Sequence, residues 1–152
     1  MMPGKVSRRI VLNRLALMEQ MLAKIHALPL ESRQAFFSDE RNASALESYL
    51  RRALEALLDV GWHILAKGFA IGVTEYKQIS AELQRLGILT AEEGRILRLL
   101  AGYRNRMVHF YHEFGEKELY QIARENLGDL LIVASAFQRW IKEHPEALQD
   151  DL

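Results

Sequence analysis

Apolar positions recur along this chain in steps of three and four, the period of a helix that buries one face. In the first such segment the stripe is Val11, Leu15, Met18, Leu22 and Ile25, with Ser7 before it as an N-cap and Pro29 as its limit. The second covers residues 42–67, with Leu46, Leu50, Ala53, Leu57, Val60 and Ile64 on one face, and a loop, GFAIG, follows from Gly68 to Gly72. A short helix then carries Tyr76, Ile79, Leu83 and Leu86 and stops at Gly87. The fourth opens on Thr90-x-x-Glu93, a capping box, and its stripe is Ile96, Leu100, Tyr103 and Met107. The fifth spans residues 116–144 through Leu119, Ala123, Leu130, Ala134, Phe137 and Ile141, and Pro145 follows it. No alternating β-branched run bounded by turns is present. The pattern predicts an all-α bundle of four long helices plus one short helix, folded as a single domain over residues 1–152.

Composition narrows the chemistry. Hydrophobic residues make up 49% and charged residues 26%, which suits a globular protein and not a disordered one. The absence of cysteine excludes disulfides, thiol catalysis and Cys-based zinc or iron–sulfur sites. The longest apolar stretch, LLIVASAF at residues 130–137, is far short of the ~20 residues a membrane helix needs. Basic residues near the N-terminus precede apolar ones, but Asn13 and Arg14 interrupt them, so this segment reads as a helix and not a signal peptide. No membrane partner and a cytoplasmic location are expected.

Twenty basic and 20 acidic side chains cancel, which excludes a generally basic coat for nucleic acid. The cancellation is uneven. Residues 51–110 carry +3 and residues 111–152 carry −5, and from Arg95 to Tyr111 there are four arginines and no acid. Charge alone leaves two readings open: complementary solvated faces within the bundle, or a local anion site.

The segment Tyr103-Arg104-Asn105-Arg106-Met107-Val108-His109-Phe110-Tyr111 carries most of the chemistry. Asn105 and His109, four apart, share one face of a helix. Arg104 lies about 140° round the helix from His109. For the two to meet at one substrate, the arginine must wrap round, the helix must deviate, or a second subunit must contribute. A fixed cation, an amide and a group titrating near neutrality form a plausible kit for a phosphodiester, with His109 moving the proton and Arg104 holding the charge. On residue type alone, a structurally satisfied helix histidine is the commoner case for His109. Arg104 is equally readable as an ion pair to the acidic fifth helix, Asn105 as a helix end, Tyr111 as core, and Arg106 as an ion pair or a phosphate contact. Tyr103 and Met107 fall on the apolar stripe and read as core.

Arg104-x4-His109 resembles the R-x4-6-H motif of the HEPN superfamily, and Arg104-Asn105-x3-His109-x-Tyr111 is similar to the RNxxxHxY form of its HepT toxins. The likeness extends to Leu54-Glu55-x-x-Leu58-Asp59 in the second helix and to YKQISAELQRLGIL at residues 76–89. The resemblance implies a HEPN-like bundle and metal-independent RNA cleavage in a homodimeric cleft. It implies His109 for proton transfer, Arg104 for phosphate charge and Asn105 for orientation. Tyr111 would sit at the rim of the site, where a minimal nucleotidyltransferase (MNT) antitoxin attaches AMP. Arg106 remains a candidate RNA contact. Non-catalytic HEPN companions that hold nucleotide or substrate for a nucleotidyltransferase are the alternative, and a purely structural helical adaptor is a further one.

No cofactor is expected. His109, His112 and Glu113 form HxxHE, which is not the HExxH order of a zinc helix, so no metal is assigned. His26, His63 and His144 show no partner pattern, and Trp62, His63 and Trp140 read as packing or helix-end residues. Gly102 costs its helix about 1 kcal/mol against alanine and would allow another helix to approach beside the motif.

Overall fold

The computed structural model describes residues 4–109 and 111–150; of residues 111–113 the backbone alone is described. Among the described residues seven α-helices form the bundle: α1 (Arg8–His26), α2 (Arg33–Phe37), α3 (Glu40–His63), α4 (Tyr76–Arg85), α5 (Ala91–His109), α6 (Tyr111–Glu125) and α7 (Gly128–Glu143). A π-helical turn, Ile64–Gly68, extends α3, and a 3-10 turn, Pro145–Ala147, follows α7.

The longest helix, α3, is the axle. Leu46, Leu50, Ala53, Leu54, Leu57, Leu58, Val60 and Ile64 are fully buried, and α1, α4, α5, α6 and α7 all pack on it. That explains why its apolar residues spread beyond one stripe: a helix enclosed on most sides has few solvent positions. The stripe on α1 buries Val11, Leu15, Met18, Leu22 and Ile25 against α3.

The termini of the helices follow their capping residues. Ser7 Oγ accepts from the Ile10 amide at 3.2 Å and opens α1. Thr90 and Glu93 exchange both capping-box bonds, Thr90 N–H to Glu93 Oε1 at 2.9 Å and Glu93 N–H to Thr90 Oγ1 at 3.1 Å. Gly87, at φ +76°, turns the chain out of α4, a conformation costly for any residue with a Cβ.

Three features differ from the sequence expectation. The fifth helix is two, α6 and α7, separated at Asn126 and Leu127. Leu119, Ala123, Leu127 and Leu130 stay in helical phase and buried across the break, so periodicity gives no sign of it. Helix α6 is also kinked at Gly115, with φ +75° and ψ 159°, next to the expected start at 116. Second, a five-residue helix, α2, precedes α3, capped by Ser32 and anchored by buried Phe36 against Tyr120. Five residues are too few to show a period.

Third, two-residue strands β1 (Val6–Ser7) and β2 (Leu148–Gln149) pair in parallel and tie the two ends of the chain together. An Arg8–Asp150 ion pair at 2.8 Å reinforces them. His63 belongs to this clasp. It is buried, and its Nε2 accepts from the Ser7 amide at 3.0 Å. Among the described residues no helix is long and apolar enough to cross a membrane.

A close approach of α3 and α4 positions the residues around the end of α5. A Cβ at Gly61 would lie 2.7 Å from Ile79 Cγ2 and 3.0 Å from Leu83 Cδ1. Glycine at this turn of α3 lets α4 lie close, which brings Tyr76, the first residue of α4, down beside the end of α5.

Candidate active site

The C-terminal half of α5, the second half of α3 and the start of α4 enclose an open cleft of about 620 Å³. Arg104, Asn105 and His109 of α5 line it together with Trp62, the 73–75 loop, Tyr76 and Lys77. Arg104 and His109 line the same cleft although they diverge on the helix. The arginine runs back across the surface and lays its guanidinium over the Tyr76 ring, with Cζ 4.8 Å from the ring centroid. That contact is worth about 0.5–2 kcal/mol and fixes the plane of the group. His109 is exposed at the cleft edge.

Two neighbours fix the guanidinium further. Its Nε and Nη2 donate to Glu55 Oε2 at 3.0 and 2.9 Å, and its Nη1 donates to Asn105 Oδ1 at 3.3 Å. Glu55 is itself held by Arg51, with Nη1 to Oε1 at 3.3 Å. The Arg104 and Glu55 side chains are 21% and 25% exposed, so the pair is sheltered without being cut off from solvent. An arginine gripped on one side by a carboxylate keeps donors free on its outer edge, the geometry that suits a phosphate oxygen. The carboxylate belongs to α3; among the described residues Arg104 makes no ion pair with the acidic fifth helix, the alternative expected for it.

Tyr76 is held in turn. Its hydroxyl donates to Asp59 Oδ1 at 2.9 Å. Burial, with the bond to Asp59 second, pushes the Tyr76 phenol up to about 12, so it remains a neutral donor at working pH. Burial also raises the Asp59 carboxyl above its ordinary range, while the Tyr76 bond opposes the shift. Perturbed groups gathered at a cleft mark candidate functional sites.

The other expected residues fall elsewhere. Arg106 does not line this cleft. It makes a two-pronged ion pair with Glu118 of α6, at 2.8 and 2.6 Å, and lies 4.9 Å from the Phe114 ring. Met107 is buried and Tyr103 packs against the core, as the stripe predicts. The side chains of Tyr111, His112 and Glu113 lie outside the described residues, and with them the tyrosine rim and the HxxHE motif. Among the described residues no group of three or more His, Asp or Glu is placed to hold a metal ion.

Sequence reasoning missed Trp62, which is 44% exposed and lines the cleft; it reads as packing in the sequence because it follows the apolar stripe of α3. Tyr76 reads as core for the same reason. The signal that could have found the α3 face is Glu55 and Asp59 four residues apart, two acids set among the buried Leu54, Ala56, Leu57, Leu58 and Val60.

An all-α bundle with an Arg–Asn–His face over a cleft is the HEPN-like class of fold, and solved structures agree with it. A cytosolic protein of unknown function from Bacillus subtilis, YutE, aligns over 96% of this chain and 98% of its own, at 22% identity and a TM-score of 0.76. A tri-AMPylated HEPN toxin from Shewanella oneidensis, in complex with its MNT antitoxin, aligns over 86% and 97%, at 20% identity and a TM-score of 0.74. A toxin–antitoxin complex with AMP-PNP aligns over 84% and 97%, at 20% identity and a TM-score of 0.73. At these identities the likeness is one of fold. No curated protein sequence matches the chain. The family described as ribonuclease HepT-like matches residues 18–137, which include the whole cleft, and the chain belongs to that family.

Proposed function

We propose that this protein is the toxin of a HEPN/MNT toxin–antitoxin pair, a metal-independent endoribonuclease acting through Arg104 and His109. The observation that carries the reading is the convergence of Arg104, Asn105 and His109 on one cleft despite their divergence on the helix. Family membership and the fold shared with an AMPylated HEPN toxin support it.

In the proposed reaction His109 takes the proton from a ribose 2′-hydroxyl. The 2′-oxygen attacks the adjacent phosphorus, the bond to the 5′-oxygen breaks, and that oxygen takes up a proton from solvent, to which His109 returns its own. The product ends are a 2′,3′-cyclic phosphate and a 5′-hydroxyl. Arg104 holds the extra charge on the phosphorane-like transition state, and Asn105 and Glu55 keep its guanidinium aimed. A homodimer that pairs two such clefts would add phosphate contacts. Neutralisation by the nucleotidyltransferase would place AMP on Tyr111, where its phosphate competes for Arg104 and repels RNA.

The test is incubation of the purified chain with RNA in EDTA. Cleavage is expected to persist. Cleavage stopped by EDTA and restored by zinc overturns the mechanism, and nucleotide binding without cleavage favours the companion role. Intact-mass measurement after co-expression with the neighbouring nucleotidyltransferase tests the modification: added AMP that vanishes in Tyr111→Phe is expected, and full neutralisation at unmodified mass contradicts it.

A further inference from the structure

Trp62 is the one aromatic side chain among the described residues that is exposed beyond a third of its surface. It lines the candidate cleft together with Arg104, and its indole N–H donates to the Val73 carbonyl at 3.4 Å. A large apolar ring held by its one polar atom and left open to water costs stability where it stands, unless something covers it in use. Two cations, Lys77 and Arg104, and one carboxylate, Glu75, line the same cleft, and Arg104 keeps donors for an anion, so the covering group is one that joins a flat π-face to negative charge. Tyr76 cannot serve as a stacking platform in the same way, because the Arg104 guanidinium lies over its ring.

We propose that Trp62 is the platform on which an unpaired nucleobase stacks, next to the phosphate that Arg104 holds, so that the cleft takes single-stranded RNA. The inference rests on the nuclease reading of the same cleft and deepens it by naming the substrate class. Attack by a 2′-oxygen needs that oxygen, the phosphorus and the leaving 5′-oxygen in line, an arrangement that stacked A-form duplex does not supply. A nucleotide swung out of its stack needs a new partner for its base, and an aromatic face provides one for any base. Trp62 is therefore a positioning residue that favours loops, bulges and tails over helices, with little preference among bases.

The test uses the intact protein and a fully 2′-O-methylated single strand of about ten nucleotides, within the range that one binding surface covers. Such a strand carries the bases and phosphates but has no 2′-hydroxyl to attack. Titration is expected to quench indole fluorescence, with the quenched signal coming from Trp62, since the other tryptophan, Trp140, is buried. Trp62→Phe should remove the quench and keep most of the affinity. Trp62→Ala should weaken binding about tenfold, the size typical for loss of a stacking aromatic. The same sequence as a duplex, and free AMP, should each bind at least about tenfold more weakly than the single strand.

An absent quench, a quench that survives in Trp62→Phe, or equal affinity for duplex or for AMP overturns the proposal. Unchanged binding by Trp62→Ala does the same; if that variant does not fold, the wild-type and Trp62→Phe titrations decide. Because this strand cannot be cut, the result stands apart from the fate of the nuclease reading, which the metal-free cleavage assay decides.

Discussion

The two ends of helix α5 face the same solvent and use the same residue types, yet they are built to different ends. At the N-terminal end the capping groups close on one another. Thr90 and Glu93 complete the capping box, and Arg139 of α7 grips Glu93 with two bonds of 2.8 Å. That guanidinium, with the Thr90 amide behind it, holds the Glu93 carboxyl down at about 2. At the C-terminal end Arg104 is held by Glu55 and Asn105 but keeps donors over, Asp59 is pushed up by burial, and the cleft beside them stays open. One end lowers the free energy of the fold; the other keeps charge and polarity where the fold gains little from them. Such a contrast along a single helix separates structure from chemistry more sharply than exposure does.

The contrast is most directly broken at the open end. Arg104→Ala and His109→Ala are each expected to lower RNA cleavage about 100-fold or more. His109→Ala should melt within about 2 °C of wild type, while Arg104→Ala, which also gives up the Tyr76 and Glu55 contacts, should melt about 2–6 °C lower. Large losses of stability in both variants would make the cleft a structural ion-pair site.

Glu55→Ala should come next. It leaves Arg104 in place and removes the carboxylate that aims it, so turnover is expected to fall about tenfold. Addition of free RNA beyond saturation should not restore the rate, since the defect is one of orientation.

The closed end responds in stability alone. Glu93→Gln should cost about 1 kcal/mol at neutral pH, given that Arg139 is partly exposed and the pair is screened, and should leave turnover unchanged. The sign with pH follows from the lowered carboxyl. Its contribution is fully present above the ordinary value of 4.5 and is lost as pH falls toward about 2. The gap in melting temperature between wild type and Glu93→Gln should therefore close over that interval. Asp59 has the opposite sign: burial favours its protonated form, so its contribution is lost as pH rises through its raised value.

The smallest effect is expected at Arg106. It sits two residues from Arg104 in the same basic run, but Glu118 occupies both its prongs outside the cleft. Arg106→Ala should change cleavage less than about threefold and stability by less than about 0.5 kcal/mol. A loss as large as that of Arg104→Ala would mean that Arg106 turns from Glu118 to RNA during use.

The same contrast marks how much of the molecule its sequence discloses. The long stripes are legible because each buries one face on the α3 axle, and Ser7, Gly87 and the Thr90–Glu93 box act locally, within four residues. The break at Asn126–Leu127 is not legible, because the apolar rhythm runs through it unchanged. Helix α2 and the paired ends of the chain are too short to carry a rhythm at all. In the site, Arg104, Asn105 and His109 are legible as a motif on one helix. Glu55 and Asp59 show as two acids four apart, but the roles of Glu55, Tyr76 and Trp62 are not legible, because they depend on α5 and α4 packing on α3, contacts between segments that no local spacing records.

The most direct test of the central claim is the chemistry of the product ends. RNA treated with the wild-type protein in EDTA should yield fragments that mass spectrometry identifies as 2′,3′-cyclic phosphates paired with 5′-hydroxyls, and His109→Ala should yield none. Fragments ending in a 3′-hydroxyl, or cyclic-phosphate fragments formed equally by His109→Ala, would contradict the assignment of this cleft as the site of cleavage.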